Sequence, residues 1–137
     1  MATEAIAISL LPALVVGAVI GLVEMFFVHQ DEIGMGWFGH GLHAIPFTIG
    51  FTFASINVTW VLAMVGYADN WMYSLGARAL IAIIAMIKIQ AAAAIAGRVG
   101  ERFGHTFIIG CLIFAVGYFW DFLGPAVESM LPAYLTF

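Results

Sequence analysis

Four long apolar runs, separated by short polar stretches, dominate the pattern of this chain. Each run is close to the roughly 20 residues that an α-helix needs to cross the hydrocarbon core of a bilayer. The pattern therefore predicts an all-α polytopic membrane protein, a single domain over residues 1–137 in which four transmembrane helices form one bundle. The predicted spans are residues 5–28, 44–68, 76–96 and 105–123.

A glycine- and histidine-rich stretch separates the first two runs. Its four glycines between residues 34 and 41 disfavour a long helix, while Trp37 and Phe38 give it an apolar side typical of the membrane interface. We therefore expect a short interfacial amphipathic segment over residues 31–43, after the first helix. Gly124 and Pro125 are expected to stop or kink the fourth helix.

Composition supports the bilayer as the main partner. Hydrophobic residues make up 64% of the 137 residues and charged residues only 9%, against about 25% charged residues in soluble domains. No basic cluster exists that would bind nucleic acid. The single cysteine, Cys111, provides no disulfide framework and is expected to be a packed small residue.

Arginines decide the predicted orientation. The positive-inside rule places the loop with Arg98 and Arg102 in the cytoplasm, and four spans then put both termini outside it. Whatever the absolute orientation, the connections after the first and third spans must share one membrane face.

That shared face collects the first candidate site, a cluster of histidines and carboxylates. Imidazole and carboxylate groups suit a transition metal ion, the one cofactor that the sequence suggests. Histidine also titrates near neutral pH, so a proton site is an alternative. A third alternative is that these histidines only anchor helix ends at the interface. The residues are His29, Asp31, Glu32, His40, His43 and His105.

Glu24 and Lys88 form the second candidate, inside the first and third spans. A charged side chain in a span costs roughly 2.5–3.5 kcal/mol on insertion scales, so each should have a partner. We expect them to form an ion pathway or a structural ion pair, with the Gly17–Gly21 face packed on small residues of the third span. Asn57, within the second span, is expected to hydrogen-bond across a helix interface.

Arg78 and Asp121 lie near the opposite face, where a structural ion pair is predicted. No nucleophile elbow, phosphate-binding loop or dinucleotide motif occurs, which disfavours an enzyme. The favoured function is an oligomeric channel or carrier for protons or metal cations. The alternative is a non-catalytic subunit of a larger membrane complex, and a membrane metalloenzyme is the weakest hypothesis. The predicted protein partners are copies of the chain or other membrane subunits.

Overall fold

The computed structural model describes residues 8–31, 36–97 and 102–130, and 90% of it is helical, with no strand among these residues. The predicted all-α class is thereby confirmed. The five described helices are α1 (Leu10–Asp31), α2 (Trp37–Ile56), α3 (Val58–Met64), α4 (Trp71–Gly97) and α5 (Phe103–Met130).

Three of these helices, α1, α4 and α5, are long and apolar enough to cross a membrane. The α2 and α3 helices meet this criterion only together, and their axes differ by 50°. The second predicted span is thus not one continuous helix, because it breaks at Asn57 and ends at Met64.

Glycines bring α1 and α2 into close contact. A Cβ at Gly17 would stand 2.7 Å from the Ile49 Cα, and one at Gly21 would stand 3.0 Å from the Ile45 Cα. As residue numbers increase along α1, the residues that they face on α2 have decreasing numbers. The two helices are therefore antiparallel. The Gly17–Gly21 face does pack closely, but its neighbour is α2 and not the third-span helix that the sequence suggested.

The main apolar cluster joins α1, α4 and α5. Its buried members are Ile20, Ala85, Ile89, Ile109 and Ile113. The α4 helix packs chiefly against α5 and α2, whereas α1 packs chiefly against α2. Contact between α1 and α4 is slight, so these two helices are not direct neighbours.

The α2 helix begins at Trp37 and not at residue 44, so residues 37–43 are its first turns and not a separate interfacial segment. Tertiary packing explains this correction: a Cβ at Gly41 would stand 3.3 Å from the Met25 Sδ, so the glycine lets α1 approach. Pro46 consequently lies inside α2 and not in its first turn. Residues 32–35 of the predicted segment lie outside the described residues.

Two caps define the turn between α3 and α4. Gly66 has a φ of +80°, and its N–H donates to the Ala63 carbonyl (3.1 Å) while the Tyr67 N–H donates to the Leu62 carbonyl (2.8 Å). This pair of bonds is a Schellman motif, which requires a residue that tolerates positive φ. Asn70 then caps α4, because its Oδ1 accepts the Met72 N–H (3.1 Å). The third-span helix accordingly begins at Trp71, earlier than predicted.

The α5 helix passes through Gly124 and Pro125 and continues to Met130, so it does not stop there. Gly124 is buried, and a Cβ there would stand 2.8 Å from the Trp120 Nε1. This glycine therefore makes room for a tryptophan ring and does not end the helix.

Replacing Gly17 with alanine is expected to destabilise the fold by about 1–3 kcal/mol, because the new Cβ would force α1 and α2 apart. Gly50→Ala is the matched control: a Cβ there meets no atom within 4 Å, so we expect no loss and a gain of up to about 1 kcal/mol. Equilibrium unfolding in mixed detergent micelles, followed by circular dichroism, measures both variants. Equal losses would contradict the close packing of α1 on α2.

Candidate functional site

The guanidinium of Arg78 is fully buried near the start of α4. Its Nη2 donates to Asp121 Oδ1 (2.9 Å) and to Thr59 Oγ1 (3.1 Å). Its Nε donates to the Ser55 carbonyl (3.1 Å), and its Nη1 donates to Ser74 Oγ. A buried charge is tolerated only when it is paired and its donors are satisfied. The structure thus brings together the two residues that the sequence suggested as a pair at this face.

The break between α2 and α3 lies beside this guanidinium. Irregular backbone in apolar surroundings needs side chains to satisfy its polar groups, and Arg78 supplies one donor to the carbonyl of Ser55, two residues before the break. The Asn57 side chain makes further hydrogen bonds at the break. Its Oδ1 accepts the Ser9 N–H (2.8 Å), and its Nδ2 donates to the Phe53 carbonyl (2.9 Å). Asn57 was predicted to hydrogen-bond across a helix interface; it does bond to a distant part of the chain, but the partner is Ser9, just before α1, and not a residue of a facing helix.

A cavity of about 450 Å³ opens beside the Arg78–Asp121 pair. Asp121 is 37% exposed and lines it, while Arg78 is buried behind that carboxylate. Asp69, in the turn before α4, and the Trp71 ring also line the cavity. We call this end of the bundle the Arg78 end.

The opposite end, which we call the His105 end, holds a second polar cluster. The Asp31 side chain is 3% exposed, and its Oδ2 accepts the Arg102 backbone N–H (2.9 Å) and lies 2.8 Å from the His105 Nδ1. The Arg102 Nε lies 3.3 Å from the other carboxylate oxygen. A carboxylate at the start of α5 is favoured by the helix dipole. The His105 ring also stacks on Phe27, with centroids 4.4 Å apart.

Of the six residues in the predicted histidine–carboxylate cluster, the structure joins Asp31 and His105 directly. His29 stacks on Trp37 instead, with ring centroids 3.8 Å apart. Glu32 and the side chains of His40 and His43 lie outside the described residues. Within the described part of the chain, no three histidine, cysteine or acidic residues are placed to hold a metal ion.

The structure does not bring Glu24 and Lys88 together, which corrects the predicted ion pair. Glu24 is fully buried on α1, whereas Lys88 is exposed on α4. No ion pair between them is found among the described residues, because α1 and α4 are not direct neighbours. Lys88 of the third-span helix therefore does not point into the bundle.

Sequence reasoning missed a row of hydroxyl groups on α2. Thr48, Thr52 and Ser55 are all fully buried, and their spacing of four and then three residues places them on one helix face. The Ser55 Oγ donates to the Ile113 carbonyl of α5 (2.9 Å). The spacing alone, within an apolar stretch of α2, was a signal that could have identified this row.

The helices and their composition indicate an integral membrane protein, with two ionisable clusters at opposite ends of a helical bundle. Comparison with protein-family models, curated proteins and solved structures finds no match for this chain. What it does must therefore be inferred from the geometry of its own residues.

Replacing Asp121 with asparagine is expected to destabilise the fold by about 2–4 kcal/mol, since it leaves the buried guanidinium of Arg78 without a counter-charge. Asp69→Asn makes the same chemical change on an exposed carboxylate and should alter stability by less than about 0.5 kcal/mol. Both free energies of unfolding are measured by denaturant titration in micelles. Similar values for the two variants would show that the Arg78–Asp121 pair adds nothing to the fold.

Proposed function

We propose that this chain crosses the membrane four times, with α2 and α3 as one broken span, and that it carries protons between its two polar ends. One observation carries the proposal: a column of buried polar side chains runs along α1 and α2 between the two clusters. Its members are Glu24, Thr48, Thr52 and Ser55, all fully buried. Asp31 and His105 stand at one end of the column, and Arg78 and Asp121 stand at the other.

The packing register supports the continuity of this column. Because Gly17 faces Ile49 and Gly21 faces Ile45, Glu24 lies level with about residue 42 of α2, roughly 9 Å along the axis from Thr48. The next steps along α2, from Thr48 to Thr52 and on to Ser55, are roughly 6 Å and 4.5 Å at 1.5 Å per residue. Side-chain rotation or single water molecules can bridge steps of this size.

Thr52 occupies the middle of the column. Its hydroxyl is buried and makes no hydrogen bond to any residue that the structure describes. A hydroxyl group both donates and accepts, so this one is available to pass a proton along a chain of hydrogen bonds. Acidic side chains within a membrane bundle are typical elements of proton relays, and Glu24 fits that role.

Protons are favoured over metal cations for two reasons. The described residues form no group of ligands for a metal ion. The α1 and α2 helices also approach so closely at Gly17 that no open pore separates them. A proton needs only a chain of hydrogen-bonding groups, whereas a metal cation needs a hydrated path or several ligands at once.

Proton flux into liposomes tests the proposal directly. Purified protein is reconstituted with a pH-sensitive dye inside, and a potassium gradient with valinomycin supplies the driving force. Glu24→Gln and Thr52→Val should each reduce the flux at least about tenfold, because each removes one proton-exchanging group of the column.

Ser129→Ala is the control, since it deletes an exposed hydroxyl far from the column and should leave the flux unchanged. Lys88→Met should also keep the flux, because Lys88 is exposed and off the column. Circular dichroism and gel filtration establish that each variant is folded. Absence of flux in the wild type, or full flux in both column variants, would rule the proposal out.

A second candidate function, a non-catalytic subunit of a membrane assembly, is favoured by the position of Lys88. This residue is exposed on α4, about 14 Å along the helix axis before Gly97. A lysine that faces lipid at this depth is costly, and a carboxylate on an adjacent subunit would offset the cost. The adjacent subunit would be a second copy of the chain or a different membrane protein.

Native mass spectrometry of gently solubilised protein tests this second candidate. The wild type should be found in a complex, and Lys88→Met should lower the complexed fraction at least about tenfold through loss of the interfacial charge. Lys88→Arg keeps the charge and should retain the complex. A monomeric wild type, or a complex that Lys88→Met leaves intact, would contradict the subunit hypothesis.

A further inference from the structure

We infer that the cavity beside Asp121 is a binding site for a small alkylammonium cation. Its volume of about 450 Å³ falls within the range of small-molecule pockets, roughly 300–1,000 Å³. It also contains two features that such a cation requires, which are aromatic walls and uncompensated negative charge.

The aromatic walls come from three parts of the chain. Three of the four tryptophans of the protein line the cavity, Trp60 from α3, Trp71 from the start of α4 and Trp120 from α5. Tyr118 and Phe122 of α5 complete the wall. The Trp120 Nε1 donates to Ser9 Oγ (3.1 Å), which holds this ring in place. Aromatic faces attract cations through their quadrupole, and tryptophan does so best.

The charge in the cavity is unbalanced. Arg78 and Thr59 both donate to Oδ1 of Asp121, whereas its Oδ2 accepts no hydrogen bond from the described residues. Asp69 is exposed and forms no ion pair within the described part of the chain. Arg78 therefore offsets one of the two carboxylates, and one negative charge remains for a monovalent cation.

The residues that line the cavity also favour an alkylammonium ion over a metal ion. Hard metal cations need six or more oxygen ligands at short distance, whereas five aromatic side chains line this cavity and only two carboxylates do. An alkylammonium ion instead presents methyl or methylene groups to ring faces and its charge to carboxylates. Such an ion could be a soluble compound or the headgroup of a membrane lipid, because both have the same chemistry. The inference does not rest on proton transport, since binding is measured at equilibrium.

The test uses the full chain in nanodiscs of phosphatidylglycerol, with choline as the probe and tryptophan fluorescence as the readout. Choline should bind saturably and at least about tenfold more tightly than 3,3-dimethylbutan-1-ol, an uncharged molecule of the same shape. Trp71→Leu and Asp69→Asn should each weaken choline binding about five- to thirtyfold. Both side chains are exposed, so neither change should unfold the protein. Trp37→Leu removes a tryptophan at the His105 end and should leave the affinity unchanged.

Repeating the titration in phosphatidylcholine nanodiscs identifies the source of the cation. An affinity for choline that falls at least about tenfold shows that the lipid headgroup occupies the cavity, whereas an unchanged affinity shows a site for a soluble cation. Three results would overturn the inference: no saturable choline binding in phosphatidylglycerol, equal binding of the uncharged alcohol, or equal losses in Trp37→Leu and Trp71→Leu. None of these results would alter the expected proton flux, so the two proposals fail separately.

Discussion

The hydrogen bonds of the buried Arg78 guanidinium fix the Arg78 end of the bundle. They join the end of α2 and the neighbouring α3 helix to α5, which comes much later in the sequence. Because an unmatched guanidinium would be very costly in this apolar interior, these three segments must keep their relative positions. The break at Asn57 is part of the same arrangement, since it lies between the Ser55 carbonyl and the Thr59 hydroxyl that Arg78 binds.

Ser55 extends this constraint into the packing of α5. Its carbonyl accepts from Arg78 and its hydroxyl donates to the Ile113 carbonyl. Gly117 of α5 lies so close that a Cβ there would stand 2.7 Å from the Ser55 carbonyl oxygen. One small polar residue thus connects the ion pair, a close contact between α2 and α5, and the column of buried hydroxyls. A larger residue at this position would disturb all three.

The all-α class and the Arg78–Asp121 pair could be predicted, because long apolar runs and rare charges are strong signals in a chain with so few charged residues. The break at Asn57 could not, since neither glycine nor proline marks it and the groups that hydrogen-bond around it, Arg78 and Ser9, are distant in the sequence. The sequence pattern places the start of α2 too late, because helix propensity disfavours glycine there, whereas in the structure Gly41 lies against Met25 of α1. The direction of Lys88 depends on which helices are neighbours, and sequence periodicity does not contain that information.

The hydrogen-bond partners of the Arg78 guanidinium are synthesised in a fixed order. Ser55, Thr59 and Ser74 all precede Arg78 in the sequence, whereas Asp121 follows it by 43 residues. When α4 reaches the membrane, three hydrogen-bond partners of the guanidinium have therefore already been made, but its counter-charge has not. The positive charge must wait for α5, the latest-made of the described helices, which supplies the carboxylate that pairs with Arg78.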